Sequence, residues 1–172
     1  MGLFDQLGSV LEQYANSSGQ ANEKADQHWD TVSQAAPSGA LADGLAAAFR
    51  SNSTPDFGQM LGSMFNSSNG EQKAGILNQL LASGGPSLLA QLGGAGGGLA
   101  ALLGGGSQVT ADQAQKVSPE VVQQLATHAE KSDPSLIDKA SEFYSQHPAL
   151  IKTLGGAALT IAMSKMAERR SA

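Results

Sequence analysis

The sequence predicts an all-α protein, a bundle of roughly eight to ten short helices around a glycine-rich central segment. Three observations predict it. Four segments open alike, with a proline, one further residue and then an apolar pair: Gly85-Pro86-Ser87-Leu88-Leu89, Ser118-Pro119-Glu120-Val121-Val122, Asp133-Pro134-Ser135-Leu136-Ile137 and His147-Pro148-Ala149-Leu150-Ile151. Proline suits the first helical position, because its missing N–H has no partner there and its φ is already helical. The apolar fraction is 41%, mostly Ala and Leu, while aromatics are 5%, a mix suited to helices packed through small side chains rather than to sheets. Apolar residues also recur at helical spacing between breaks rich in Gly, Pro, Ser and Asn.

Each element follows from such local signals. In residues 2–15, Leu3, Phe4, Leu7, Leu11 and Tyr14 share one helical face, and Asn16-Ser17-Ser18-Gly19 ends the run. A second helix is expected from about Asn22 to Ala35, carrying Trp29 and Val32. Ser38 is expected to cap an Ala-rich helix with Leu41, Leu45, Ala48 and Phe49 inward. Thr54-Pro55-Asp56 combines a cap residue, a proline and an acid, and predicts a start for Phe57, Met60, Leu61, Met64 and Phe65. After a turn at 66–70, Glu71 to Ala82 reads as a helix with Ile76, Leu77, Leu80 and Leu81 on one face.

The stretch from Gly84 to Gly106 changes character, since ten of its 23 residues are glycine, with leucines interleaved. Linkers are rarely so rich in leucine, so short helices packed closely through glycine are expected, with a turn at 93–98. Beyond it, Thr110 caps a helix to about Lys116, and Pro119 starts one to about Lys131. Pro134 starts one to Ser145, and Pro148 starts a long last helix to about Arg169. The starts at 119, 134 and 148 are too closely spaced for two-helix solenoid units of roughly 34–47 residues. Three regions result, 1–83, 84–106 and 107–172, expected to form one integrated domain.

Composition excludes several functions. With ten Lys and Arg against 15 Asp and Glu, the formal charge is −5. Basic residues gather only at Lys165, Arg169 and Arg170, so no nucleic-acid partner is expected. No cysteine is present, hence no disulfide, thiolate metal site or thiol nucleophile. His28, His128 and His147 form no pair at metal-ligand spacing, and neither a metal nor any cofactor is expected. No serine lies in a nucleophile motif, and the run Gly93-Gly94-Ala95-Gly96-Gly97-Gly98 lacks the lysine that completes a phosphate loop. A non-enzyme is therefore expected. No secretory signal pattern opens the chain, and the apolar run Thr153–Ser164 is short of the roughly 20 residues that span a bilayer. A cytoplasmic location is the expectation.

Charged residues make up only 15% of the chain, a low share that resists association poorly. The acidic polar face of residues 2–15, with Asp5 and Glu12, is unlike that of membrane-surface helices. It favours docking into the protein's own core or onto a second copy. In the last helix, Gly155-Gly156-Ala157-Ala158 is expected to let another helix come near. Leu3, Phe4, Leu7, Leu11, Gly155, Gly156 and Ala158 are the candidate self-association residues.

The opening Met1-Gly2-Leu3-Phe4-Asp5, the Gly/Leu-rich stretch Leu92 to Gly106 and the pattern Val109-Thr110…Val117-Ser118-Pro119-Glu120 together resemble the YidB-like family of bacterial proteins. The resemblance is specific over the first five residues, rests on composition and helix starts elsewhere, and does not extend to residues 147–172. It implies an all-helical fold and a bacterial cytoplasmic setting; the family has no assigned biochemical function and supplies no site residues. The leading expectation is a non-enzymatic structural or scaffolding protein that binds itself as a homo-oligomer or filament. The alternatives are a membrane-surface or envelope-associated protein using amphipathic terminal helices, and an adaptor for another protein.

Overall fold

A computed structural model describes residues 2–15, 23–91 and 108–171; for Leu3, Phe4, 84–91 and 170–171 it describes the backbone alone. Among the described residues the fold is all-helical. The elements are α1 (Leu3–Ala15), α2 (Ala25–Ala35), α3 (Ser38–Arg50), α4 (Phe57–Ser67), α5 (Gly70–Gln91), α6 (Ala111–Gln115), α7 (Pro119–Ser132), α8 (Leu136–Ser145), α9 (Pro148–Lys152) and α10 (Gly156–Ser171). They fall into two compact units, one of residues 1–56 and 141–172, the other of residues 57–140. The division therefore follows helix pairing and not the expected boundaries at 83 and 106. The expected turn at 93–98 lies outside the described residues.

In the first unit α10 is central, with α1, α2 and α3 packed on it. Leu7, Leu11, Tyr14, Trp29, Val32, Leu45 and Phe49 are buried, as the spacing of each segment predicts. Trp29 lies in α2, which packs on α1, α9 and α10. Its indole N–H donates to the Pro148 carbonyl at 3.0 Å, tying the head of α9 to α2. The α3–α10 crossing is close because position 44 is glycine: a Cβ there would stand 2.7 Å from the Ala162 carbonyl oxygen. Ser38 does not cap α3 but is its first residue. Pro37 is the cap, with extended backbone and no side-chain bond.

Thr54 likewise serves the preceding helix. Its hydroxyl donates to the carbonyls of Ala48 at 2.6 Å and Ser51 at 3.1 Å, closing α3, and α4 begins only at Phe57. A threonine hydroxyl can donate as well as accept, and the open carbonyls at the end of α3 claim it.

The long last helix expected from Pro148 is broken. Gly155 has φ +90°, a left-handed conformation that side chains disfavour, and the chain turns there between α9 and α10.

In the second unit α4 packs on α7, and α5 packs on α6 and α7. Phe57, Met60, Leu61, Met64 and Phe65 are all buried, with Ile76, Leu77 and Leu80 from α5. Gly62 of α4 stands where a Cβ would meet Gln123 Cγ at 2.6 Å and the Pro119 carbonyl oxygen at 3.2 Å, so α7 can approach α4 closely. Thr110 caps α6 in a reciprocal box with Gln113, and Pro119 is the first residue of α7, both as predicted. Pro86 is not a start, because α5 continues through it to Gln91. Gly85, lacking a Cβ, relieves part of the clash that normally bars a helical residue before proline. Pro134 precedes α8 rather than opening it.

At that turn Asp133 accepts from the Ser135 N–H at 3.1 Å and hydroxyl at 2.5 Å and pairs with Lys139 at 2.9 Å. The Ser135 hydroxyl bond, then the Lys139 bond, hold the Asp133 carboxyl down to about 2. A depressed carboxylate contributes stability above its ordinary range near pH 4 and loses it as pH falls through about 2. Carboxyl NMR should place the Asp133 midpoint near 2 and move it upward in Ser135→Ala. An ordinary midpoint in the unsubstituted protein would contradict the turn geometry.

Candidate association surface

The amphipathic face of α1 is used inside the chain. Leu7 and Leu11 are 7% and 4% exposed and sit in the core of the first unit, where α1 packs on α10 and α2. Tyr14 is wholly buried, and its hydroxyl is 2.7 Å from His28 Nδ1. Burial raises the Tyr14 pKa. Ala158 is also a core residue, 2% exposed. Leu7, Leu11 and Ala158, expected as contacts with a second copy, are thus covered by the chain's own helices, which removes them as a free surface. The Leu3 and Phe4 side chains lie outside the described set.

Gly155 and Gly156 remain part-exposed, and a Cβ on Gly155 would meet nothing within 4 Å. Of the run 155–158 the residue covered by other helices is Ala158, and a further close approach is made at Ala162, against Gly44. Around the two glycines, Leu154, Ala157 and Ile161 are also only partly covered. Residues 157 and 161 are four apart on α10 and so lie along one side of it, while Leu154 stands just before the break at Gly155. The sequence did not single out Leu154 or Ile161, and it named Ala157 only as part of the small-residue run 155–158. A signal for them exists: from Ala157 to Met163 only Thr160 is polar, so the helix is apolar on more sides than one core can cover.

The same side changes character toward its C-terminus. Lys165 pairs with Glu168 at 3.1 Å, and Arg169 pairs with Asp43 of α3; all four side chains are about half-exposed or more. Such pairs add little stability but keep that end in water, while the basic residues suit the C-terminal dipole. The head of α10 is therefore an apolar shelf and its tail a charged one. Nothing on the shelf can move a proton or hold a metal; it can only lose water against another apolar surface. Among the described residues no three His, Cys, Asp or Glu side chains group closely enough for a metal ion, and no helix is long and apolar enough to cross a membrane. No protein-family profile, curated protein or solved structure matches the chain.

Proposed function

We propose that this is a non-enzymatic, self-associating structural or scaffolding protein whose chains meet through the apolar head of α10 to form a homo-oligomer. The observation that carries the reading is the partly covered apolar residues Ala157 and Ile161 on one side of α10, with Leu154, Gly155 and Gly156 partly covered at the break before them, left over after the first unit has closed its core. The low charged fraction supports it, because little electrostatic repulsion opposes association. Three buried hydroxyls support the non-enzymatic part. Ser68, Ser145 and Thr160 donate to Met64, Glu142 and Gly156, carbonyls of the same or the preceding turn, and so cap or brace helices rather than face a substrate. A bacterial cytoplasmic setting, drawn from the resemblance to YidB-like proteins, belongs to the same proposal.

Light scattering behind size exclusion tests it. The untagged protein is expected to run well above the 17.5 kDa of one chain. Ile161→Arg would bury an unpaired charge in the contact, a cost of about 3 kcal/mol or more, hence roughly a hundredfold weaker association. It should return the mass to a monomer with helical circular dichroism unchanged, since Ile161 is not fully buried in the fold. A monomeric wild type, or an Ile161→Arg protein that stays large, would overturn the proposal. A monomer that floats with lipid vesicles would move the assignment to a membrane surface.

A further inference from the structure

We infer that Asn69-Gly70 is a self-modifying site, where the chain converts its own asparagine to aspartate or isoaspartate, and that the start of α5 sets the rate. The chain holds one Asn-Gly dipeptide, and it falls where two structural demands meet. Asn69 caps α5 in a reciprocal box: its Oδ1 accepts from the Gln72 N–H at 2.9 Å, and its own N–H donates to Gln72 Oε1 at 3.0 Å. Gly70 lies close against α6, where a larger residue would make Gln115 move and crowd Ala111. A Cβ there would lie 2.6 Å from Gln115 Nε2, 3.2 Å from the Ala111 carbonyl oxygen and 3.3 Å from Ala111 Cβ. The cap asks for a short side chain with an acceptor oxygen, which asparagine supplies, and the close approach favours glycine; together they create the most labile pair that asparagine can form.

The chemistry needs only water. The Gly70 backbone nitrogen loses its proton and attacks Asn69 Cγ. The new C–N bond closes a five-membered succinimide, and the side-chain nitrogen leaves as ammonia with the proton. Water then adds to one of the two ring carbonyls and reopens the ring. Opening at one carbonyl gives aspartate; opening at the other gives isoaspartate, in which the main chain runs through the former side chain. Glycine favours the attack because no side chain shields its nitrogen. Asn69 is exposed, so water can reach it.

The capping box opposes the first step. Ring closure needs the side chain of Asn69 to fold back over its own Cα–C bond onto the next nitrogen. Instead it reaches forward to the N–H of Gln72, and the Asn69 carbonyl accepts from Lys73 at 2.9 Å. Reaction therefore waits on local opening of the first turn of α5. The two products differ in consequence. Aspartate is as good a cap as asparagine and adds a negative charge at a helix N-terminus, where it is favoured. Isoaspartate lengthens the backbone at the cap and displaces Gly70 from Ala111.

Peptide mapping by mass spectrometry, on the full chain aged at neutral pH in the native state and in guanidinium, tests this. In the unfolded chain Asn69 is expected to lose its amide first among the asparagines. The native chain should react at least roughly tenfold more slowly. Gln72→Ala should speed the native reaction, while Gln72→Glu, which keeps an acceptor for the Asn69 N–H, should stay near the wild-type rate. Circular dichroism identifies any variant that has unfolded outright, and Asn69→Ser should abolish the signal at this position with its cap intact. Equal rates in the native and unfolded chain, earlier loss at another asparagine when unfolded, or a folded Gln72→Ala protein with the wild-type rate would each overturn the inference.

Discussion

Replacing Trp29 with alanine is expected to destabilise the unit formed by residues 1–56 and 141–172 by about 3–5 kcal/mol, a large part of what a small unit possesses. The indole is 1% exposed. It is the largest side chain in that core, and three other helices pack on the helix that carries it. The substitution removes the indole's transfer free energy, leaves a cavity and strips the Pro148 carbonyl of an N–H donor from 119 residues away. Trp29→Phe separates these terms. It keeps most of the bulk and loses the donor, so about 1–2 kcal/mol should disappear. Guanidinium unfolding followed by circular dichroism gives both values, since the only tryptophan is lost. A Trp29→Ala protein within about 1 kcal/mol of wild type would mean that the α2–α9 tie contributes little.

Gly44→Ala should destabilise the same unit by about 1–3 kcal/mol, against the helix propensity that favours alanine by roughly 1 kcal/mol. The added carbon would stand 2.7, 3.2 and 3.3 Å from the carbonyl oxygen, carbonyl carbon and Cα of Ala162. All three are backbone atoms, so no side chain can rotate away and α3 must shift along α10. Gly39 lies on the same helix and supplies the control, because a Cβ there meets nothing within 4 Å. Gly39→Ala should therefore stabilise by a few tenths of a kcal/mol up to about 1. Opposite signs for two identical substitutions five residues apart would assign the effect to packing; equal signs would dissociate Gly44 from the crossing.

The helices themselves were legible in the chain, and their partners were not. The faces containing Leu41, Leu45 and Phe49, or Phe57, Met60 and Met64, are periodic in sequence and buried in the fold. Prolines 119 and 148 open helices because each sits at a helix's first position with its missing N–H already expendable. The same residue type failed as a marker at Pro86 and Pro134, where a strong preceding helix and an Asp133-centred turn decided the geometry. Thr54 misled for a related reason: its hydroxyl had two helix ends within reach, and sequence order favoured the wrong one.

The surface was harder still. Leu7 and Leu11 form an apolar stripe whether they cover the chain's own α10 or a second copy, and periodicity contains nothing that separates the two. What did carry information was excess. The segment around Ile161 has more apolar positions than a one-sided helix needs, and the surplus is what stays partly uncovered.

The first unit is assembled from both ends of the chain, with residues 57–140 inserted between its halves. On a ribosome that order has a cost in time. Residues 57–140 emerge ahead of α10 and can close on themselves while α10 is still enclosed in the exit tunnel. α1 and α3 cannot, since they lean on α10, which follows residues 57–140. During that interval the apolar faces of Leu7, Leu11, Leu45 and Phe49 stand open to solvent and to neighbouring nascent chains. Any truncation that removes α10 makes the interval permanent, so such a product should be aggregation-prone while retaining most of its helical sequence.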